Sequence, residues 1–181
     1  DGSNWSTLGS RGIVGAPTGP IDGIVQSLAV DNQTNHLYVG GQFTNVTQNG
    51  ASLPAADYLA MWDGTNWSAL GDNGAGNGSL TAPVGAVLAN ADKVYAGGMF
   101  FDVNNHGSVL TAADYVAAWD GVNWSALGSN GSGNGVLNAY VAALGGIGNA
   151  LYVGGDFTNV NNSGSILNAA DYVATYDTCS T

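Results

Sequence analysis

Every acidic side chain in the sequence is Asp: thirteen of them, with no Glu. Paired carboxylates do general acid–base chemistry, and carboxylates clustered with amide oxygens hold Ca²⁺. Six of these Asp residues recur at fixed places, however. Asp57, Asp114 and Asp171 each precede a Tyr, and Asp63, Asp120 and Asp177 follow at a constant interval. A catalytic site is singular, whereas a residue present in every unit is more simply explained by folding, so these six read as turn and capping groups. The stretch "DNGAGNGS" (72–79) sets oxygen ligands among glycines but offers one carboxylate, and its counterpart "SNGSGNGV" (129–136) offers none. It reads as an Asn-Gly loop rather than an EF-hand, and Asp102 and Asp156 add to a Ca²⁺ site only if folding brings them together. His36 and His106 occupy different repeat positions without a second ligand at zinc spacing. "GGIGNA" (145–150) precedes a strand rather than a helix, which excludes a dinucleotide fingerprint, and no nucleophile elbow or phosphate loop occurs. Trp5, Trp67 and Trp124 could stack on sugar rings, but their repetition favours packing. No catalytic residue, metal or cofactor is expected, and the chain is not expected to be an enzyme.

Composition narrows the partners. The net charge of -11, with Lys93 and Arg11 the only basic side chains besides the histidines, repels phosphate backbones and anionic lipids. No apolar run is long enough to span a membrane as a helix. Neither nucleic acid nor membrane insertion is expected. The 45% hydrophobic content is enough for a substantial core in a single domain, and the 29 Gly and scarcity of helix-forming charged residues indicate an all-β protein. The chain opens on Asp1 rather than Met, so a processed or excerpted product is expected. Cys179 is the single Cys and has no internal partner; a free thiol is its simplest reading, and pairing between chains the alternative. Eight Asn fit the N-glycosylation pattern. The loop positions Asn32, Asn45, Asn77, Asn130 and Asn161 are expected to be better acceptors than the "NWS" positions Asn4, Asn66 and Asn123. This leans towards an extracellular or cell-surface location.

The elements that position these residues form a repeat with a period of 57: Gly40, Gly97 and Gly154; Phe43, Phe100 and Phe157; Tyr58, Tyr115 and Tyr172. The units run approximately over 10–70, 71–127 and 128–177 plus 1–9, within one repeat domain. Each holds four strand-like runs, in the first unit "IVQSLAV" (24–30), "HLYVGGQF" (36–43), "DYLAMWD" (57–63) and "NWSAL" (66–70). In the third run Tyr58, Ala60 and Trp62 alternate with Leu59 and Met61, so both faces are apolar and covered on two sides. Trp62 and Trp119 are expected to be buried between sheets. "DG" reads as a hairpin turn, because both residues can take positive φ. The Gly pairs in "YVGGQF", "YAGGMF" and "YVGGDF" mark places where a backbone or neighbouring sheet comes close.

"LYVGGQFTNV…AADYLAMWDGTNWSALG" resembles the repeat of bacterial extracellular β-propeller proteins: a glycine pair before an aromatic residue, then a tryptophan, an Asp-Gly turn and a second tryptophan. The resemblance covers nearly the whole chain. It implies four-stranded blades around an axis, often in secreted or surface proteins, while propellers as a class host many activities. The fold class expected is therefore all-β and propeller-like, with three four-stranded blades. A β-trefoil or β-prism is the alternative three-fold arrangement.

The ends of the chain divide one copy of the motif. "DGSNWSTLG" opens it like a second half and "DYVATYD" closes it like a first half. The strand Asn4, Trp5, Ser6, Thr7 and Leu8 is therefore expected to pair with the strand of Tyr172, Val173 and Tyr176, between chains in preference to within one. The function expected is a structural subunit of an extracellular assembly, a filament or a ring, whose partners are copies of itself. The alternative is a module binding glycans or proteins through loops such as "TQNGASLP" (47–54) and "NNHGSVLT" (104–111).

Overall fold

The computed structural model describes residues 3–9, 19–90 and 92–178. Asp1, Arg11, Cys179 and most of "GAPTGP" lie outside them. The described residues are all-β, without a helix, and build several small antiparallel sheets.

The first unit contributes β1 (Val25–Asp31) and β2 (His36–Gly41), a small hairpin β3 (Val46–Gln48) and β4 (Ala51–Leu53), then β5 (Leu59–Trp62) and β6 (Trp67–Ala69). Its main sheet runs β1-β2-β5-β6. The second unit repeats this with β7 (Val84–Ala89), β8 (Val94–Gly98), the hairpin β9 (Val103–Asn105) and β10 (Ser108–Leu110), β11 (Val116–Trp119) and β12 (Trp124–Ala126), again with a four-stranded sheet. The third has β13 (Val141–Ile147), β14 (Ala150–Gly155), the hairpin β15 (Val160–Asn162) and β16 (Ser165–Leu167), and β17 (Val173–Asp177). Its sheet has three strands, β13-β14-β17, so the expected third four-stranded blade is not formed among the described residues. The sheets join into neither a closed barrel nor a closed propeller ring.

The glycine pairs have two separate jobs. A Cβ on the second glycine would run into a main-chain carbonyl of its own sheet: Ile24 O at Gly41, Pro83 O at Gly98, Tyr140 O at Gly155. The first strand of each sheet is bulged there, at Val25/Ser27, Val84/Ala86 and Val141/Ala143. The first glycine faces the next sheet instead. A Cβ at Gly40 would meet Val84 Cγ1 at 2.6 Å and Val87 Cγ2 at 2.7 Å, and one at Gly97 would overlap Val141 Cγ1.

The core consequently lies between sheets. Leu59 and Leu70 of the first unit pack with Val84, Val87 and Val94 of the second, and Val116 and Leu127 of the second with Val141, Leu151 and Val153 of the third. The first strands β1, β7 and β13 touch in succession. Phe43, Phe100 and Phe157 are fully buried under the small hairpins.

Those hairpins occupy the segments expected to be variable loops. Each turns on two residues with positive φ, Asn49-Gly50, His106-Gly107 and Ser163-Gly164, the geometry of a type I′ turn. The Asp-Gly turns join β5 to β6 and β11 to β12 as expected, with the left-handed conformation confined to the glycine. Only Gly64 and Gly121 take positive φ, while Asp63 and Asp120 stay in ordinary conformations. The Asp carboxylate accepts from the two amides beyond the glycine instead, Thr65 N at 2.7 Å and Asn66 N at 2.6 Å for Asp63. Backbone donors hold Asp63 and Asp120 below the usual carboxylate range, with Asn66 and Asn123 contributing most.

Candidate functional site

The tryptophan pairs define how one unit engages the one before it. Trp62 lies opposite Trp67 in the β5–β6 register, and Trp119 opposite Trp124 in β11–β12. Their rings are tilted at 5.3 and 5.5 Å between centroids. Trp67 and Trp124 are buried, as their repetition suggests, whereas Trp62 and Trp119, expected to be buried between sheets, are only half-buried. The reason lies a whole unit away. The Trp124 indole N–H donates to the main-chain carbonyl of Leu70 at 2.7 Å, and that of Trp67 to Leu8 at 3.0 Å. The small residue after each leucine leaves room for the half-buried partner ring. A Cβ at Gly71 would sit 3.0 Å from Trp119, and one at Gly9 3.3 Å from Trp62.

The strand bearing the buried tryptophan is also held by the small hairpin. Asn105 Oδ1 accepts from Trp124 N at 3.0 Å while its amide donates to Asn123 Oδ1 at 3.2 Å. Gln48 does the same for Trp67 N and Asn66.

The third unit has the receiving half of this arrangement without the tryptophan. A cavity of about 280 Å³ opens between the second and third sheets, where the fourth strand would run. It is lined by Leu127, Leu137, Val153, Ala174, Tyr176 and Asn162, among others. Leu127 stands where Leu8 and Leu70 stand, and Asn162 where Gln48 and Asn105 stand. The matching tryptophan is Trp5, which is fully exposed. Asn4, Trp5, Ser6, Thr7 and Leu8 form no strand and are exposed, and the segment is tied to the first sheet at Leu8, which accepts the Trp67 indole bond. Within one chain the two halves of the divided motif, Asn4–Leu8 and β17, are not paired.

Leu8 and Gly9 therefore already hold, relative to the first sheet, the places that Leu70 and Gly71 hold relative to the second. What the segment lacks is a sheet of its own.

The other residues singled out by sequence hold loops together. Asp114 accepts from Gly135 N and Asp102 N, and Asp171 from Asn159 N, bracing the loops around the repeated Tyr. Burial pushes the Asp57 carboxyl up. His106 Nδ1 lies 3.0 Å from Asp72 Oδ2 and Nε2 lies 3.0 Å from the Val122 carbonyl. Among the described residues no three His, Cys or acidic side chains converge on a metal position. Asn32 and Asn77 are exposed, Asn45, Asn130 and Asn161 half-buried, and Asn161 lies in β15 rather than a loop. Asn66 and Asn123 are exposed as well, so access to solvent does not separate the two sets of acceptors.

No family model and no curated protein matches the chain. Among solved structures it is similar to the computationally designed Ika4 protein, known from a crystal structure. The identity is 15% and the TM-score 0.31, over 86% of this chain and 92% of that one. A likeness of that size carries no argument about fold or function.

Proposed function

We propose that the chain is a structural subunit of an extracellular or cell-surface assembly. Its three main sheets serve as blades of a propeller-like arc, and each copy completes the third blade of another with its own Asn4–Leu8 strand. One observation carries this reading: the third sheet has an open cavity at the fourth-strand position while the segment with the fourth-strand sequence stands unpaired with Trp5 in solvent.

The registers of the first two sheets dictate the pairing. Trp5 falls opposite Tyr176, Ser6 opposite Thr175 and Thr7 opposite Ala174, as Trp124, Ser125 and Ala126 fall opposite Trp119, Ala118 and Ala117. The Trp5 indole then donates to the Leu127 carbonyl of the other copy, and Asn162 there receives the Trp5 amide. Main-chain bonds along a strand supply affinity and the tryptophan pocket supplies selectivity. The contact is head to tail, so it closes as a ring where the rotation allows and otherwise runs on as a filament. The N-glycosylation acceptors belong to the same reading as surface modification sites.

Deleting residues 1–9 tests it. The intact 181-residue chain is expected to form a particle of more than one copy by light scattering, and the truncated chain to remain a monomer. An intact chain that is monomeric at every concentration, or a truncated chain forming the same particle, would overturn the proposal.

A further inference from the structure

The cavity is only the outer part of what the third sheet leaves open. On the side facing away from the second sheet, Val173 is 62% exposed, whereas its counterparts Leu59 and Val116 are 2% and 3% exposed beneath the following sheet. Tyr152 is likewise exposed where Tyr95 is buried. Gly154 stands at the centre of this face. Gly40 and Gly97 are each filled by the valine of the next sheet's first strand, but the nearest atom to a Cβ at Gly154 is Ala143 Cβ of its own sheet, 3.6 Å away.

At the opposite end of the molecule, β1 carries the matching knobs. Val25 and Leu28 hold the places of Val84 and Val87, which pack on Gly40, and of Val141 and Leu144, which pack on Gly97. Val84 and Val141 are fully buried and Val87 is 7% exposed, while Val25 and Leu28 are 42% and 62% exposed.

We propose that Val25 and Leu28 of one copy dock on the Gly154 face of another, repeating between chains the sheet-to-sheet junction found twice within the chain. This rests on the self-assembly reading above and adds a second contact to it. The same placement serves both contacts. A copy whose third sheet stands in front of the first sheet, as the first stands in front of the second, brings its β17 alongside Asn4–Leu8 and its Gly154 against Val25. The end of the segment is already in place, because Leu8 and Gly9 engage Trp67 and Trp62, and only Asn4–Thr7 have to take up the strand conformation. The glycine is then a size filter: the closest approach of the two sheets leaves no space for a side chain at 154.

Two substitutions separate this contact from strand completion. Gly154→Ala has room in the isolated chain and no left-handed φ, so it is expected to melt like the dissociated wild type. A Cβ there meets the incoming Val25, and assembly is expected to weaken by about ten- to hundredfold. Leu28→Asp, at an exposed position, is expected to block the other end. At a protein concentration where wild type assembles but a ten- to hundredfold weaker contact does not, each variant alone should stay monomeric, and a mixture should form pairs and nothing larger, because only one good head and one good tail remain. Wild-type assembly by Gly154→Ala, or folded variants that fail to pair when mixed, would overturn this contact. Strand completion has its own readout in the deletion of residues 1–9, so either reading can fail alone.

Discussion

Trp124 and Trp5 hold the same place in the repeat, and their surroundings differ in almost every respect. Trp124 is enclosed by the first-to-second sheet core and its indole N–H is held by a buried carbonyl, whereas Trp5 meets solvent. Trp124→Ala is expected to cost about 3–5 kcal/mol in denaturant melts, the range for deleting a buried tryptophan. Trp5→Ala should leave the dissociated chain within about 0.5 kcal/mol of wild type while weakening assembly, as loss of an aromatic anchor does. Equal losses of stability in the two variants would mean that Trp5 is packed within its own chain. The tryptophans also mark the limit of what the sequence discloses at this scale. Alternation along "DYLAMWD" places Trp62 correctly on a strand face, but the depth of each ring is set by Leu8 and Leu70, 59 and 54 residues away from Trp67 and Trp124. No local pattern reports a contact of that kind. The capping role of Asp63 and Asp120 was legible because it is local, reaching only two and three residues along the chain.

At the scale of elements, the repeat made the four main runs legible and hid the small hairpins. β3–β4 and its counterparts are three-residue strands with polar faces, which periodicity over so short a span does not single out. Their signal was the turn: "NG", "HG" and "SG", flanked by Val46 and Leu53 or their equivalents. The middle hairpin carries a fastening that the others lack, since His106 stands where Asn49 and Ser163 stand. Its ring bridges Asp72, in the loop between the first two sheets, and the Val122 carbonyl, in the β11–β12 loop, with the Trp119 ring 6.5 Å away. Both nitrogens face acceptors, which favours the imidazolium. The Val122 carbonyl first, and Asp72 with it, raise the His106 pKa, and the Gly74 amide and His106 lower that of Asp72. A raised folded-state pKa gives stability that is full below the unfolded value and is lost as pH rises through the folded one. The lowered Asp72 pKa gives stability lost as pH falls through its own folded value. The fastening is thus complete between the two and loosens on the alkaline side of the histidine. His106→Asn should melt below wild type on the acid side of the histidine's unfolded pKa, with the gap narrowing as pH is raised through its raised folded value in melts run as a pH series. A gap that widens with rising pH would show the ring to be held in its neutral form.

At the scale of the whole molecule, the repeat disclosed the number of units and the divided motif, but not which side of each sheet would be left uncovered. That depended on which neighbour each first glycine faces, and Gly40, Gly97 and Gly154 look alike in sequence while only the first two are filled. The uncovered faces are apolar, yet they belong to a chain with a net charge of -11. Bringing copies together therefore sets burial of Val25, Leu28, Trp5 and Val173 against repulsion between like-charged bodies. The repulsion is long-range and the attraction is contact-range, so salt acts on them unequally. The Debye length falls from about 30 Å at 0.01 M to about 3 Å at 1 M, which removes most of the repulsion and leaves the buried contact intact. Assembly of the intact chain should accordingly tighten as NaCl is raised over that range, with the midpoint of the light-scattering titration moving to lower protein concentration. The Leu28→Asp variant should remain monomeric throughout, since screening cannot restore a lost apolar knob. If added salt instead dissolves the particle, its copies are joined by ion pairs, and both the completed strand and the glycine-centred face are the wrong contacts.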